Sequence, residues 1–391
     1  MLNQDSIAAR MAAIQPFHVM AILARAKQLQ AQGRDIFHLE VGEPDFPTPA
    51  PIIEAGIKAL QQGQTRYTPA CGIPVLREAI AQYYHERFGV RVDPKRIIIT
   101  PGASGALQLV LSTLLNPQDE VLIPDPAYPC NRHFVRLFDA NPISIPAYAA
   151  TNYQLTVSDI EQYWSARTKL VMLATPSNPT GTALNKDELQ ALYAAVKARN
   201  GQLLVDEIYQ GLLYDGEEHT ALALGDDVWV INSFSKYFGM TGWRLGWIVA
   251  PEWAVEAIDR LAQNVFLCPS TPAQYAALAA FTPEARAIME ANKQVLKARR
   301  DFLVPALGEL GLVINSQPVG AFYVYADAGR FTQDAQALCL QLLEQVGVAV
   351  TPGIDFGEFE ANTHIRFAYT TDVLRLEQAM EQLRRYLPHY Y

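Results

Sequence analysis

The 391-residue sequence is poor in cysteine, and this scarcity excludes two classes of small, cross-linked protein. Its four cysteines are far apart, and no two form a CxxC pair or lie beside a histidine cluster. This pattern argues against both a disulfide framework and a zinc site, so we predict no metal. It favours a reducing, cytoplasmic setting. The cysteines are Cys71, Cys130, Cys268 and Cys339.

The sequence also lacks a long apolar run. The N-terminal stretch MLNQDSIAARMAAIQPFHVM contains Asp5 and the break Gln15-Pro16, so it has no uninterrupted apolar core of a signal peptide. No later stretch approaches the ~18 apolar residues of a membrane span. A transit peptide is the open alternative, but residues 21–29 have the spacing of an ordinary amphipathic helix. We therefore predict an unprocessed protein without a membrane segment.

An excess of positive charge is missing as well. Lysine and arginine together number 31 against 40 aspartates and glutamates, which gives a formal net charge of −9. Such a charge opposes attraction to nucleic acid or to an anionic membrane, so we expect neither as a partner. At this length the chain exceeds the size at which one core normally stops growing, which predicts roughly two domains.

Short apolar runs rich in β-branched residues alternate with helical patterns through the first two thirds of the chain. This alternation predicts an α/β fold with a mainly parallel sheet covered by helices. The predicted helices between strands include residues 106–115 and 186–200. The predicted strands are residues 97–100, 120–124, 169–176, 202–209 and 228–235.

The alternation changes after Thr282. A long charged helix over residues 284–307 is followed by a strand in GAFYVYA (320–326), a helix over 334–346, a strand in HIRFAY (364–369) and a final helix. We predict a smaller second domain. The expected boundaries are an N-terminal arm with part of the small domain at 1–45, a large domain at 46–283 and the small domain at 284–391.

Ligands of open α/β sheets bind beyond the carboxyl ends of the strands, so the loops there are candidate sites. PGASGAL follows the first of these strands, and Ser104 lies where a helix N-terminus can hold an anion. By itself, such a turn is more often structural. A hydrolase nucleophile elbow, GxSxG, is excluded because position 106 is alanine.

Three charged residues in or next to predicted buried strands are harder to explain as surface groups. Asp206 follows an apolar run and needs a cationic or hydrogen-bonding partner, although a structural salt bridge would also satisfy it. Lys236 and Arg244 lie in SFSKYFGMTGWRLGW, just after another apolar strand. A desolvated lysine can form an imine with an aldehyde, and an aspartate can keep a pyridine nitrogen protonated. The cofactor that suits these residues is pyridoxal 5′-phosphate.

The stretch around Lys236, SFSKYFGMTGWRLG, resembles the lysine motif of class I/II aminotransferases, which are fold-type I pyridoxal-phosphate enzymes. Seven further stretches resemble that family in the same order, so the resemblance covers nearly the whole chain. They are GEPDF (42–46), YTPACG (67–72), PGASGAL (101–107), PDPAYP (124–129), SNPTG (177–181), DEIY (206–209) and HIRFAY.

The resemblance implies a role for each matching residue. Lys236 is similar to the lysine that forms the imine and moves a proton, and Asp206 to the partner of the pyridine nitrogen. Arg366 resembles the arginine that grips the substrate α-carboxylate, with Gly42 approaching through its backbone. The family's contacts to the cofactor ring are matched here by Tyr128, Asn178 and Tyr209. Its phosphate site is matched by Ala103, Ser104, Ser233, Ser235 and Arg244. Tyr67 resembles a tyrosine that reaches across a two-fold interface to the cofactor phosphate bound by the other subunit, which implies a homodimer with shared sites.

The function predicted from these features is transfer of an amino group between an L-amino acid and a 2-oxo acid by a ping-pong mechanism. The alternatives are a lyase or decarboxylase with the same site, and a regulator that only binds the cofactor. Some aspartate-specific relatives carry lysine where this chain has Ser104, and Phe17 and Val19 are expected near the substrate. We therefore predict a neutral or apolar donor, with an aspartate aminotransferase as the alternative.

Overall fold

The computed structural model describes residues 7–387. The strands are β1 (Phe37–His38), β2 (Ile97–Thr100), β3 (Glu120–Asp125), β4 (Asn141–Pro146), β5 (Thr168–Ala174), β6 (Gln202–Asp206), β7 (Trp229–Ser233), β8 (Gly246–Val249), β9 (Tyr323–Asp327), β10 (Val348–Ala349), β11 (Thr351–Pro352) and β12 (His364–Ala368). The helices are α1 (His18–Ala31), α2 (Ala50–Gln61), α3 (Pro74–Phe88), α4 (Gly102–Leu114), α5 (Cys130–Leu137), α6 (Val157–Tyr163), α7 (Lys186–Lys197), α8 (Glu252–Val265), α9 (Thr271–Leu278), α10 (Pro283–Glu309), α11 (Ala335–Val346) and α12 (Val373–Tyr386).

Seven strands form one sheet in the order β2-β8-β7-β6-β5-β3-β4. The five strands from β7 to β4 are parallel, whereas β8 is antiparallel to both of its neighbours. Because β8 reverses the direction twice, β2 runs the same way as β7. The carboxyl ends of β2, β3, β5, β6 and β7 therefore meet at one edge of the sheet, where ligand sites of such folds lie.

Both faces of this sheet are buried, as the apolar strand sequences require. In β2, Ile97 and Ile99 pack into one hydrophobic cluster and Ile98 into another on the opposite face. The same alternation occurs in β6, where Leu204 packs on the face opposite to Leu203. Side chains of a strand point to alternate faces, so the sheet is the middle layer between two layers of helices.

Two small sheets lie outside the large one. β1 pairs in parallel with β10, and β11, β12 and β9 form an antiparallel sheet in that order. The first pairing joins the N-terminal segment to the C-terminal part of the chain. Among residues 7–387, no helix is long and apolar enough to cross a membrane.

The fold agrees with the sequence prediction in class and differs from it in detail. Each predicted strand forms, but the predicted strand over 202–209 ends at Asp206, so residues 207–209 lie in the turn beyond the sheet. Two strands of the large sheet, β4 and β8, were not predicted. β4 contains Pro142 and Pro146, which a strand tolerates at the edge of a sheet, where β4 lies.

Candidate active site

A cavity of about 250 Å³ opens at the carboxyl edge of the large sheet. It is bounded by the ends of β5, β6 and β7, by the start of α4, and by residues of α1 and β12. Its lining includes nearly every residue that the sequence singled out: Phe17, Val19, Gly42, Ala103, Ser104, Tyr128, Asn178, Asp206, Tyr209, Ser233, Ser235, Lys236, Arg244 and Arg366.

Lys236 lies in the turn after β7, and its side chain projects into this cavity. Its Nζ donates to the backbone oxygen of Gly42 at 2.7 Å. Burial, assisted by the cationic Arg366 and Arg244 and opposed by Glu43 and Asp206, lowers the pKa of Lys236 to about 8. The neutral fraction of this amine near physiological pH is therefore far larger than that of a lysine in water, and a neutral amine is a nucleophile and a base.

Asp206 is the last residue of β6 and is buried at the floor of the cavity. Its Oδ1 accepts from the N–H of Ile208 at 3.0 Å. Burial raises the pKa of the carboxyl to about 7, against the opposing effects of this N–H and of Lys236. A carboxylate in this environment favours a cationic N–H partner, because such a partner would offset the cost of desolvation.

Four groups converge at one end of the cavity, where they could hold an anion. α4 begins at Gly102, so the N–H groups of its first turn have no partner within the helix. Ser233 and Ser235 lie opposite, with their hydroxyl oxygens 2.9 Å apart. Arg244 passes so close to Gly102 that a Cβ there would lie 2.6 Å from its Nη2. The charge of this end is positive and its donors suit a phosphate.

Arg366 is fully enclosed in β12 and faces the opposite end of the cavity. Its Nη1 donates to Asn178 Oδ1 at 2.9 Å, and its Nη2 donates to the backbone oxygen of Glu40 at 2.5 Å. The guanidinium lies 4.3 Å above the ring centroid of Tyr323. Its buried Nε has no partner among the described residues. A planar guanidinium held in this way is suited to bind a carboxylate.

Two tyrosines not adjacent in sequence form a pair beside Lys236. The hydroxyl oxygens of Tyr209 and Tyr323 lie 2.9 Å apart. An added Cβ on Gly42 would lie 1.9 Å from the Tyr323 hydroxyl, so only glycine fits there. Sequence reasoning missed Tyr323, because the motif that contains it shows only a strand pattern.

The wall formed by α1 and its preceding residue is apolar. Phe17 contacts Tyr128 edge-on, with ring centroids 6.5 Å apart. Val19, Met20 and Leu23 continue this wall along the helix. Among the described residues that line the cavity, the only cations are Lys236, Arg244 and Arg366.

One predicted site residue lies elsewhere. Tyr67 does not line the cavity of its own chain, and 83% of its surface is exposed. Among residues 7–387, no three histidine, cysteine or acidic side chains are grouped closely enough to hold a metal ion.

Comparison with known proteins identifies the family. Residues 34–383 match the family model described as aminotransferase class I and II. The chain is 35% identical to the (5-formylfuran-3-yl)methyl phosphate transaminase of Methanocaldococcus jannaschii, over 97% of this chain and 98% of the relative. It is 36% identical to the valine–pyruvate aminotransferase of Mycobacterium tuberculosis, over 98% and 99%. An aspartate aminotransferase of Geobacillus stearothermophilus is 34% identical, over 97% and 98%.

The solved structures agree with this result. A crystal structure of an aminotransferase from Mycobacterium tuberculosis superposes with a TM-score of 0.95 at 36% identity, covering 99% of this chain and 100% of that one. The fold class and the family resemblance predicted from the sequence are thereby confirmed. The chain belongs to the aminotransferase class I and II family, and it is an enzyme that transfers amino groups between small molecules.

Proposed function

We propose that this enzyme uses pyridoxal 5′-phosphate to move an amino group from a neutral or apolar L-amino acid to a 2-oxo acid. The observation that carries the proposal is the single cavity that combines a buried lysine of lowered pKa, a buried aspartate and a cationic anion cradle. These residues fit the cofactor at each of its charged ends. Pyridoxal 5′-phosphate, when bound, supplies an aldehyde for amine attachment and a ring that accepts electron density from the substrate Cα.

Each end of the cofactor has a matching group in the cavity. The first-turn N–H groups of Ala103 and Ser104, the hydroxyls of Ser233 and Ser235, and Arg244 would hold the phosphate. Asp206 would hold a protonated ring nitrogen, because this carboxylate is desolvated and has no cation within salt-bridge distance among the described residues. Asn178 and Tyr209 would donate to the ring oxygen, and Tyr128 would cover a ring face.

Catalysis by this chain depends on two basic side chains, Arg366 and Lys236. Arg366 binds the substrate α-carboxylate and so fixes the orientation of the Cα–H bond. Lys236 would accept the proton from the substrate Cα and deliver it to the cofactor carbon that carries the amino group. An amine with a pKa near the working pH can do both efficiently. The backbone oxygen of Gly42, 2.7 Å from Nζ, orients the amine between these two tasks.

The preference for a neutral donor follows from what surrounds the substrate side chain. The three cations of the described lining all have a task, so that lining offers no remaining positive group for a second carboxylate. Phe17, Val19 and Met20 present apolar surface instead. The relative named valine–pyruvate aminotransferase supports the same preference, whereas the one named aspartate aminotransferase supports the alternative.

We also propose that the active form is a homodimer in the cytoplasm. Helix α2 exposes Ile53, Ile57 and Leu60 at a spacing of three or four residues, with 38%, 50% and 56% of their surfaces accessible. A stripe of this kind is typical of an interface. Together with the exposed Tyr67, it supports a shared site. All four cysteines are unpaired, which supports a reducing location.

The test of the proposed function is a donor panel. We expect kcat/KM for valine, leucine or alanine to exceed that for aspartate by more than about tenfold, which is about 1.4 kcal/mol of transition-state discrimination. Parallel lines in double-reciprocal plots at several acceptor concentrations would support the ping-pong order. An aspartate advantage of the same size would contradict the neutral pocket, and ammonia or carbon dioxide release without acceptor would favour a lyase or decarboxylase.

A further inference from the structure

The N-terminus of α1 is capped by a carboxylate from the far end of the chain. Phe17, which precedes the helix, contributes no side-chain cap. The two oxygens of Asp355 instead accept from the N–H groups of His18 and Val19, each at 2.8 Å. This arrangement satisfies two of the N–H groups that a helix start leaves free, and it places negative charge at the positive end of the helix dipole.

The turn of helix held by Asp355 is the apolar wall of the active site. Val19 itself lines the cavity, and Phe17 contacts Tyr128 directly beside it. The two N–H groups bound by Asp355 belong to His18 and Val19, which directly follow Phe17. Any loosening of these hydrogen bonds would therefore move the side chains that face the donor.

Asp355 is buried, and it belongs to the same chain segment that contacts Arg366. Only 2% of its surface is exposed, and Arg132 Nη2 donates to its backbone oxygen at 2.9 Å. Four residues earlier, Thr351 of β11 pairs with Arg366 of β12, and its Oγ1 accepts from Arg366 Nη2 at 3.3 Å. The segment 351–355 thus contacts both the carboxylate grip and the start of α1.

Burying a carboxylate is energetically costly. A helix can be capped without this cost by a neutral side chain such as serine or threonine. Asp355 forms no salt bridge with a lysine, arginine or histidine in the described part of the chain, so its two bonds to α1, together with longer-range attraction to His18 and Arg366, offset its desolvation. A cap of this kind from a distant segment fixes where the helix starts relative to the cavity, which a local serine or threonine cap would not do.

We propose that Asp355 is a positioning residue that sets the donor side-chain preference, by fixing Phe17 and Val19 against Tyr128. The inference rests on the proposed function, because it assigns selectivity within the same amino-group transfer. A large aliphatic donor requires the wall to be in place, whereas alanine is too short to depend on it to the same extent.

The first measurement is hydrogen exchange of the holoenzyme. Asp355→Asn keeps one acceptor oxygen, and Asp355→Ala keeps none. We expect the amides of His18 and Val19 to exchange at least about tenfold faster in Asp355→Ala, with Asp355→Asn in between. The matched control is Asp372→Ala, which removes another aspartate cap, at the start of α12, outside the cavity. Unchanged exchange at α1 in both Asp355 variants would overturn the proposal.

The second measurement is the ratio of kcat/KM for leucine to that for alanine. We expect this ratio to fall about tenfold in Asp355→Asn, through the KM of leucine, and to keep its wild-type value in Asp372→Ala. An equal loss for both donors would show a merely structural role and would overturn the inference. Wild-type enzyme that transfers no amino group from either donor would instead refute the proposed function, so the two failures are distinguishable.

Discussion

At the level of single residues, the reactivity of Lys236 depends on its surroundings more than on its own chemistry. Burial is the largest cause of its lowered pKa, and the two arginines that bound the cavity act in the same direction. A lysine in water would be almost entirely protonated near pH 8. The same cations that would bind the phosphate and the substrate carboxylate thus also prepare the amine.

The lowered pKa of Lys236 predicts that the acylation rate of its amine depends on pH. Because burial places the pKa of Lys236 at about 8 instead of its ordinary 10.5, the neutral amine accumulates as the pH rises through about 8. In protein stripped of cofactor, the rate of Lys236 acylation should rise about tenfold per pH unit below that point and level off above about pH 9. Competitive labelling followed by mass spectrometry measures this rate, with the peptide of the exposed Lys58 as a reference.

The contradicting result would be a Lys236 labelling rate that still rises tenfold between pH 9 and pH 10. In that case burial would not lower the pKa of the Lys236 amine to about 8. Lys236 would then need to be activated by the bound cofactor itself.

At the level of elements, the strands that the sequence predicted best are those buried on both faces. Their continuous apolar runs have no other stable arrangement in a chain of this size. β4 was missed because its prolines are tolerated only at a sheet edge, and a position in a sheet is not visible in a local pattern. β8 was missed because its first two residues, Gly246 and Trp247, belong to the end of the motif around Lys236.

The site shows the same division between local and distant information. Asp206 and Lys236 were predicted because each places a charge at the end of a buried strand or just beyond it, which is a local feature. Tyr323 and Asp355 were not predicted, because their partners Tyr209 and His18 are 114 and 337 residues away. The role of each residue stays a prediction, as do the domain boundaries at 45 and 283.

The start of α4 provides a prediction at the same scale. Gly102 has a φ of +71°, and an added Cβ would lie 2.6 Å from Arg244 Nη2. Gly102→Ala should therefore displace Arg244 from the anion cradle and weaken pyridoxal 5′-phosphate binding by at least about tenfold, the loss expected for one charge-assisted hydrogen bond. Equilibrium titration followed by absorbance measures the Kd.

The matched control is Gly89→Ala. Gly89 ends α3 with a φ of +69°, and an added Cβ would meet nothing within 4 Å. Both substitutions place alanine in the left-handed region, which costs about 1–2 kcal/mol, but only Gly102→Ala crowds the arginine. Equal affinities of the two variants would show that Arg244 does not need this space.

At the level of the whole molecule, the cavity is assembled from distant parts of the chain. The large sheet contributes its carboxyl edge, β12 contributes Arg366, and α1 contributes the apolar wall. The exposed residues of α2 and Tyr67 lie outside this cavity. The proposed homodimer would explain both features, because each would be covered by, or would serve, a second copy.

A mixed dimer of two variants distinguishes an active site shared between subunits from one contained within a single subunit. Lys236→Ala should remove turnover by more than about 10²-fold through loss of the base, and Tyr67→Ala should weaken phosphate binding. Suppose that the two variants are co-expressed with different tags and the mixed dimer is purified through both tags. If Tyr67 serves the partner's cavity, one of the two cavities then carries both defects and the other carries none, so the mixed dimer should retain about half of wild-type turnover. If Tyr67 serves only its own chain, each cavity carries one defect, and at a cofactor concentration too low to saturate Tyr67→Ala the mixed dimer should retain no more than half of the turnover of the Tyr67→Ala dimer. Sedimentation of the purified mixture provides the control, because a fully active monomer would exclude the shared site altogether.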